Sequence, residues 1–187
     1  LTVGKQVQFL QELIAALENA GYHVVLPYRV LNAADYGVPQ NRLRLFLMAY
    51  RNDQNPPAYP LPHTDKVTVA EAIGDLPDAD HFKALLDSDA VPAVWKTQTD
   101  YAKKLRGLEK DPFDFSYPRV FDRDVLTCSL RTVHTKESKA RFVRADSGAT
   151  ESISRFFKLS LGGQCNTLRA GTDSARGAFT SPRPIHP

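Results

Sequence analysis

The run Ala33-Ala34-Asp35-Tyr36-Gly37-Val38-Pro39-Gln40-Asn41-Arg42-Leu43-Arg44 joins two strand-like stretches, residues 22–31 and 43–50, which are rich in Val, Leu, Tyr and Phe. Between them Asn32, Asp35, Gly37 and Pro39 favour a turn or an exposed loop. No crossover helix separates the strands, so the second can run antiparallel to the first. Upstream, Val3, Val7, Leu10, Leu13, Ile14 and Leu17 recur at helical spacing, with Lys5, Gln8, Glu12 and Asn19 elsewhere on the wheel. That pattern predicts a helix over residues 4–20, stopped by a left-handed Gly21. One apolar stripe implies that the helix packs on a sheet or on another helix. Helix, strand, loop and strand together read as the edge of an α/β sheet, residues 1–51.

Within the run, Arg42 and Arg44 stand two apart. On a strand such residues share a face, so both guanidinium groups project the same way while Leu43, Leu45 and Leu47 turn into packing. Two convergent guanidinium forks can hold a phosphate or the edge of a base. The spacing alone equally fits two arginines salt-bridged to a nearby carboxylate such as Asp35.

Beyond the second strand the composition shifts. Pro56, Pro57, Pro60 and Pro62 mark a linker over residues 52–67. Thr68-Val69-Ala70-Glu71 has the form of a capping box and opens a short helix ending near Gly74. A second helix is expected over 94–107, with Trp95, Tyr101, Leu105 and Leu108 on its apolar side. After Pro112 the sequence becomes irregular, aromatic and basic, with short strands at most over 125–133 and 156–161. Phe156, Phe157, Leu159, Leu161 and Trp95 read as core, and Gly162-Gly163 as a turn. Residues 68–187 thus form an irregular α+β domain attached to the α/β edge.

Hydrophobic residues make up 42% and charged residues 24%, the balance of a globular chain. No apolar run approaches the roughly 20 residues that span a bilayer, and Lys5, Gln6, Gln8, Gln11 and Glu12 break up any secretory signal at the start. A cytoplasmic location follows, with no membrane partner. The chain opens on Leu1 and stops after Ile185-His186-Pro187, as a segment of a longer protein would. Cys128 and Cys165 are too few for a disulfide framework or a four-ligand zinc site and read as reduced, partly buried thiols; no metal is expected. Net charge is +3 but unevenly spread. Residues 1–118 carry 12 Lys/Arg against 15 Asp/Glu, a net −3, and residues 119–187 carry 12 against 6, a net +6. A basic second half suits a polyanionic partner. Its densest part is Arg131, His134, Lys136, Lys139, Arg141 and Arg144, interleaved with Thr132, Thr135 and Ser138. Such a run is either a solvated loop or a set of phosphate contacts with a few side chains reading base edges. His134 and His186 stand in no recognisable catalytic arrangement.

The residues from Ala33 to Arg44 closely resemble the Gln-x-Arg-x-Arg motif of cytosine-5 DNA methyltransferases, and the approach through Gly21-Tyr22 and Leu31-Asn32-Ala33 is similar too. Thr68-Val69-Ala70-Glu71-Ala72-Ile73-Gly74-Asp75-Leu76-Pro77 looks like the family segment that follows that motif. Asn166-Thr167-Leu168-Arg169 resembles the Thr-Leu element of the target recognition region. Arg183-Pro184-Ile185-His186-Pro187 looks like the opening of the motif that closes it. The blocks occur in the family's order along the whole chain, with a looser match over 80–155.

The resemblance implies the C-terminal, target-recognising part of an enzyme that flips a cytosine out of the duplex and methylates carbon 5 with S-adenosylmethionine. In that family a cysteine attacks carbon 6 and a glutamate stabilises the activated ring. Carried onto this chain, Arg42 and Arg44 would support the flipped cytosine and Gln40 would shape the loop. Residues 80–181, centred on Thr167-Leu168, would meet double-stranded DNA in the major groove, with Arg131, Lys136, Lys139, Arg141 and Arg169 as further DNA-binding positions. Arg155, Arg176 and Arg183 have no assignable base. The family's Pro-Cys nucleophile has no match, since Cys128 lies in Leu126-Thr127-Cys128-Ser129 and Cys165 in Gly163-Gln164-Cys165-Asn166. Nor is there a Gly-rich loop between a strand and a helix near the start. S-adenosylmethionine, the nucleophile and the glutamate would therefore belong to a missing N-terminal half, and this chain alone would be inactive. A cognate restriction endonuclease would be a functional partner of the parent protein. A subunit of a naturally split methyltransferase and a non-catalytic sequence-specific DNA-binding module remain open alternatives.

Overall fold

The computed structural model describes residues 5–168. The chain divides into two compact units, Leu1–Lys66 and Val67–Pro187. In the first, α1 (Lys5–Asn19) forms as its periodicity predicts. Leu10 is buried, Val7, Ile14 and Leu17 are half-buried, and α1 packs on β1 (Tyr22–Val24). Leu13 departs from the expected stripe and stays exposed, as does Phe9. Gly21 ends the helix with a φ of 84°, its N–H donating to the Glu18 carbonyl at 3.0 Å. A residue with a Cβ would resist that backbone.

Each expected strand is split in two. β1 is followed by β2 (Arg29–Asn32), and β3 (Leu43–Phe46) by β4 (Ala49–Arg51). β1 pairs antiparallel with β4, and β2 with β3 in the register Arg29 to Phe46, Val30 to Leu45, Leu31 to Arg44 and Asn32 to Leu43. The ladder runs on to Val25, whose N–H donates to Met48 at 2.9 Å. It then breaks at Pro27, which has no N–H to offer. Arg42 lies just before β3, not in it, and Leu43 is 62% exposed, against the expected packing of that residue. The ribbon has only two strands, and nothing among the described residues covers Leu43.

In the second unit α2 (Val69–Ile73) carries the full capping box. The Thr68 hydroxyl accepts from the Glu71 N–H at 3.2 Å, and the Glu71 carboxylate accepts from the Thr68 N–H at 2.8 Å. The Thr68 hydroxyl also donates to that carboxylate at 2.7 Å, and this bond, with the one from the Thr68 N–H, holds the Glu71 carboxyl below its ordinary range. The helix expected over 94–107 is shorter, α3 (Asp100–Leu105). Thr99 explains the late start: its hydroxyl accepts from the Ala102 N–H at 3.1 Å and donates to the Glu71 carbonyl at 2.6 Å, capping α3 and tying it to α2. Trp95 is therefore outside the helix. It packs with Leu76, Ala79, Phe82 and Val91 around a small core of Leu85, Ala93 and Leu126. Across that core β5 (Val91–Pro92) pairs antiparallel with β6 (Val125–Leu126), all that forms of the strand expected over 125–133.

Asp75 is 2% exposed and receives a two-pronged grip from Arg106, Nε to Oδ2 at 2.8 Å and Nη2 to Oδ1 at 2.5 Å. The same guanidinium lies 4.6 Å from the Trp95 ring centroid and 5.6 Å from that of Phe121, and the two rings meet edge to face at 4.9 Å. The Asp75 carbonyl accepts from the Lys96 N–H at 3.0 Å, so one residue binds the end of α2, the Trp95 segment and the end of α3.

The basic run is a helix, α4 (Lys136–Arg144), where the sequence suggested only a loop. Thr135 caps it by accepting from the Ser138 N–H at 3.2 Å, and Arg141 and Arg144 lie in its last turn, where the dipole favours cations. Lys158 reaches back to its C-terminal carbonyls, Val143 at 3.2 Å and Ala145 at 3.0 Å. Lys158 sits in a short turn-and-return over 148–158, closed by a bridge between Thr150 and Phe157. That bridge and its flanking bonds replace the strand expected over 156–161. Within the turn the buried Glu151 carboxylate accepts from the Ile153 N–H at 3.1 Å and the Ser154 N–H at 2.6 Å, and stands 3.6 Å from Arg141 Nε. Among the described residues no helix is long and apolar enough to cross a membrane.

Two consequences can be measured through Trp95, the chain's one tryptophan, which reports on this unit. Asp75→Ala leaves Arg106 half-enclosed without its counter-charge and should cost about 3–5 kcal/mol in urea unfolding, while Asp75→Ala with Arg106→Met should lose less than the sum of the single changes. A loss from Asp75→Ala of below about 1 kcal/mol would mean that water screens the pair. Hydrogen bonds from Ser154, aided by Ile153 and Arg141, hold the Glu151 carboxyl down to about 2 from an ordinary 4.5. Between those values the unfolded chain binds the proton and the folded one does not. The contribution of Glu151 is thus complete above pH 4.5 and lost as pH falls towards 2. The stability gap between the wild type and Glu151→Gln should close over that window; a gap independent of pH would contradict the assignment.

Candidate functional site

In the first unit the loop between β2 and β3 is built around one amide. Asn32 caps a single 3₁₀ turn, Ala33–Tyr36. Its Oδ1 accepts from the Ala34 N–H at 3.4 Å and the Arg42 N–H at 2.8 Å, and its Nδ2 donates to Asn41 Oδ1 at 3.0 Å. The Ala33 N–H donates to the Arg42 carbonyl at 3.1 Å. Both ends of the loop are thereby stapled together and Arg42 is fixed at its backbone. Gly37 makes the reversal with a φ of 81°, and Ala34 is fully buried beneath it. Gln40 is half-buried, its N–H donating to the Val38 carbonyl at 2.7 Å.

Arg42 is half-buried and Arg44 exposed. Arg44 Nη1 donates to the adjacent Leu43 carbonyl at 2.7 Å. Asp35 does not neutralise either arginine: it pairs with Lys66 at 2.9 Å. Among the described residues neither guanidinium has a carboxylate partner, so both keep donors for an anionic oxygen or a base edge.

In the second unit the expected positions separate by what they already hold. Arg131 is committed to the fold: it pairs with the Asp80 carboxylate and donates to the Phe82 carbonyl at 3.2 Å, its side chain 16% exposed. Arg141 is partly committed, donating to Ser138 Oγ at 3.3 Å beside Glu151. With Arg144 it lines a polar cleft of about 380 Å³ that also contains Asp146 and Glu151. Lys136 and Lys139 are exposed on α4 and have no carboxylate partner among the described residues. Three apart on a helix, they are neighbours and make a compact positive face. Thr167 is half-buried and Leu168 exposed, and the chain leading to them is anchored by Gln164, whose Nε2 donates to the Val67 carbonyl at 3.1 Å. Arg169, Arg176, Arg183 and the run 183–187 lie outside the described residues.

Cys165 donates to the Asn166 carbonyl at 3.1 Å, and burial pushes its thiol up. Cys128 is exposed, not partly buried as expected, at a φ of 54°. Among the described residues no group of potential ligands could hold a metal ion. Sequence reasoning missed three residues that shape these surfaces: Glu151, Lys158 and Lys66. Nothing in their spacing marks them, because each acts on a residue that the fold alone brings near.

The chain matches the family described as C-5 cytosine-specific DNA methylase over residues 2–157. It is 57% identical over all 187 residues to the Type II methyltransferase M.XorII of Xanthomonas oryzae pv. oryzae, of which it spans 44%. The Type II methyltransferase M.MthTI of Methanothermobacter thermautotrophicus is 48% identical over 69 residues, 36% of this chain and 20% of that protein. A solved structure described as a candidate DNA modification methyltransferase from an E. coli prophage superposes with a TM-score of 0.64 at 22% identity. It covers 89% of this chain and 49% of its own, and supports the fold of small antiparallel sheets and helices. The chain belongs to the C-5 cytosine-specific DNA methylase family.

Proposed function

We propose that this chain is the C-terminal, DNA-recognising part of a DNA (cytosine-5-)-methyltransferase that acts on a specific duplex sequence. The observation that carries the reading is the stapled Gln40–Arg44 run, which in a chain of this family presents two arginines with no carboxylate partner among the described residues. In this reading residues 1–51 are the edge of the catalytic sheet, 52–67 connect it onward, and 68–187 form the target recognition domain. Arg42 and Arg44 hold the flipped cytosine nucleotide through its phosphate or base edge, and Gln40 shapes the turn that carries them. Lys136 and Lys139 contact phosphates, which position the protein without reading sequence. Arg141, Thr167, Leu168 and Arg169 are the positions for base-edge contacts, while Arg131 serves that surface by holding its scaffold.

The described residues do not fit S-adenosylmethionine. Strands here pair antiparallel in twos, and no Gly-rich turn leads from a strand into a helix. The methyl donor and the nucleophile therefore belong to the rest of the protein, consistent with the 44% of M.XorII that the chain spans. Pairing with a restriction endonuclease is the biological setting proposed for the whole.

Joined to the remainder of its protein and expressed in a host, the chain should protect cytosines in one short sequence from bisulfite conversion. Absence of site-specific protection would refute the reading. In the same protein Arg44→Ala should lower the methylation rate by about a hundredfold and duplex affinity by less than about threefold. Equal losses would make Arg44 a plain phosphate contact. Lys136→Ala with Lys139→Ala should flatten the dependence of log affinity on log salt by about 0.9 per contact removed. An unchanged slope would remove α4 from the interface.

A further inference from the structure

We propose that residues 59–66 form a strap that positions the Gln40–Arg44 run, with His63 as its positioning residue; the proposal rests on the reading of that run as support for a flipped nucleotide. The proline-rich stretch looked like a connector in the sequence, yet its C-terminal half lies against the β2–β3 loop. Tyr59 begins the strap, its hydroxyl donating to the Phe46 carbonyl at 3.0 Å and its ring 5.3 Å from the Arg29 guanidinium. These two contacts grip β3 and β2, the strands that frame the loop. Next, the Pro60 carbonyl accepts from the Tyr36 hydroxyl at 3.3 Å. The His63 N–H donates to the Asp35 carbonyl at 2.8 Å, and Lys66 pairs with the Asp35 carboxylate at 2.9 Å. The His63 ring meets Tyr36 edge-on at 6.4 Å between centroids. Its Cε1 and Nδ1 lie 3.4 Å from where a Cβ on Gly37 would stand.

The contacts converge on residues 35–37, immediately before Gln40. His63 matters most among them for a physical reason. The Lys66–Asp35 pair is exposed to water and worth little, and the strap's other groups bonded to the loop, the Pro60 carbonyl and the His63 N–H, are backbone. The imidazole is the side chain that bears on Gly37, the residue with the greatest conformational freedom in the loop. Prolines 60 and 62 restrict the strap's backbone, so holding it in place costs less entropy. Removing the ring would let the reversal at Gly37 open, and the bonds that follow it, Val38 to Ala33, Gln40 to Val38 and Arg42 to Asn32, would loosen in turn.

The test uses the complete methyltransferase. In His63→Ala the amides of Val38, Gln40 and Arg42 should exchange with solvent about tenfold faster, with those of α1 unchanged. The methylation kcat should fall about tenfold or more while KM for duplex moves less than about threefold, because the loss is one of orientation and not of binding. His63→Phe, which keeps a flat ring on Gly37, should restore both readings most of the way. Tyr36→Phe, which removes only the hydroxyl bond to Pro60, should give a smaller acceleration at the same three amides. Unchanged exchange at those amides, equal acceleration throughout α1, or failure of His63→Phe to restore them would overturn the proposal. If the wild-type protein methylates no cytosine, the flipped-nucleotide reading falls and the exchange result still decides the strap.

Discussion

The larger unit depends on the grip of Arg106 on Asp75. Its strands β5 and β6 are two residues each, α2 and α3 are five and six, and few side chains are fully enclosed. So small an apolar core cannot by itself select one arrangement of such short pieces. A buried carboxylate does so by geometry, because a planar guanidinium satisfies both its oxygens in one orientation only. Trp95 and Phe121 enclose the cation, and the Asp75 carbonyl takes the Lys96 N–H. Desolvating two charges offsets much of their attraction, so the pair contributes more to uniqueness than to net stability. Further along the chain, Arg131 returns to Asp80 and to the Leu85 carbonyl in the same unit.

The smaller unit solves the same problem with neutral groups. Asn32 offers one acceptor to both ends of a loop and one donor to Asn41, so nine residues of turn hang from a single amide. The result is a firm support for guanidinium groups that have no carboxylate partner among the described residues, the condition under which a guanidinium can meet a ligand without first breaking an ion pair. A salt bridge from Asp35 to either arginine would have defeated this. Asp35 pairs with Lys66 instead.

Legibility in the sequence followed the range of the interaction. The 3.6-residue stripe of α1, the Gly21 stop and the Thr68–Glu71 capping box are local, and each was readable residue by residue. The antiparallel pairing was readable from the absence of a crossover helix. The helix over 94–107 failed because Trp95 at plausible helical spacing was taken for a stripe, whereas Thr99 caps α3 through a contact with α2 that spacing cannot reveal. α4 went unread for the opposite reason: it has no apolar stripe, only the Thr135 cap and a favourable order of charges. Leu43 was assigned to packing by strand alternation, which says which face a residue shares but not whether anything covers that face. The role proposed for Arg42 and Arg44 rests on the motif around them and not on their own spacing, since Arg42 is outside the strand that alternation requires.

Charge gives the last constraint on how the basic half can act. The net +6 of residues 119–187 suggests a broad electrostatic footprint, yet much of it is already spent. Arg119 is held by Asp114 and Ser116, Arg131 by Asp80, and Lys158 by the carbonyls closing α4. A cation satisfied in this way would have to break those bonds to neutralise a phosphate, and would return little for doing so. Under the proposed DNA-binding reading, counterion release would be governed by the uncommitted cations, of which Lys136 and Lys139 are an adjacent pair on α4. For the sequence-specific binding proposed above, such economy would be an advantage, since each phosphate contact strengthens binding to wrong and right sequences alike.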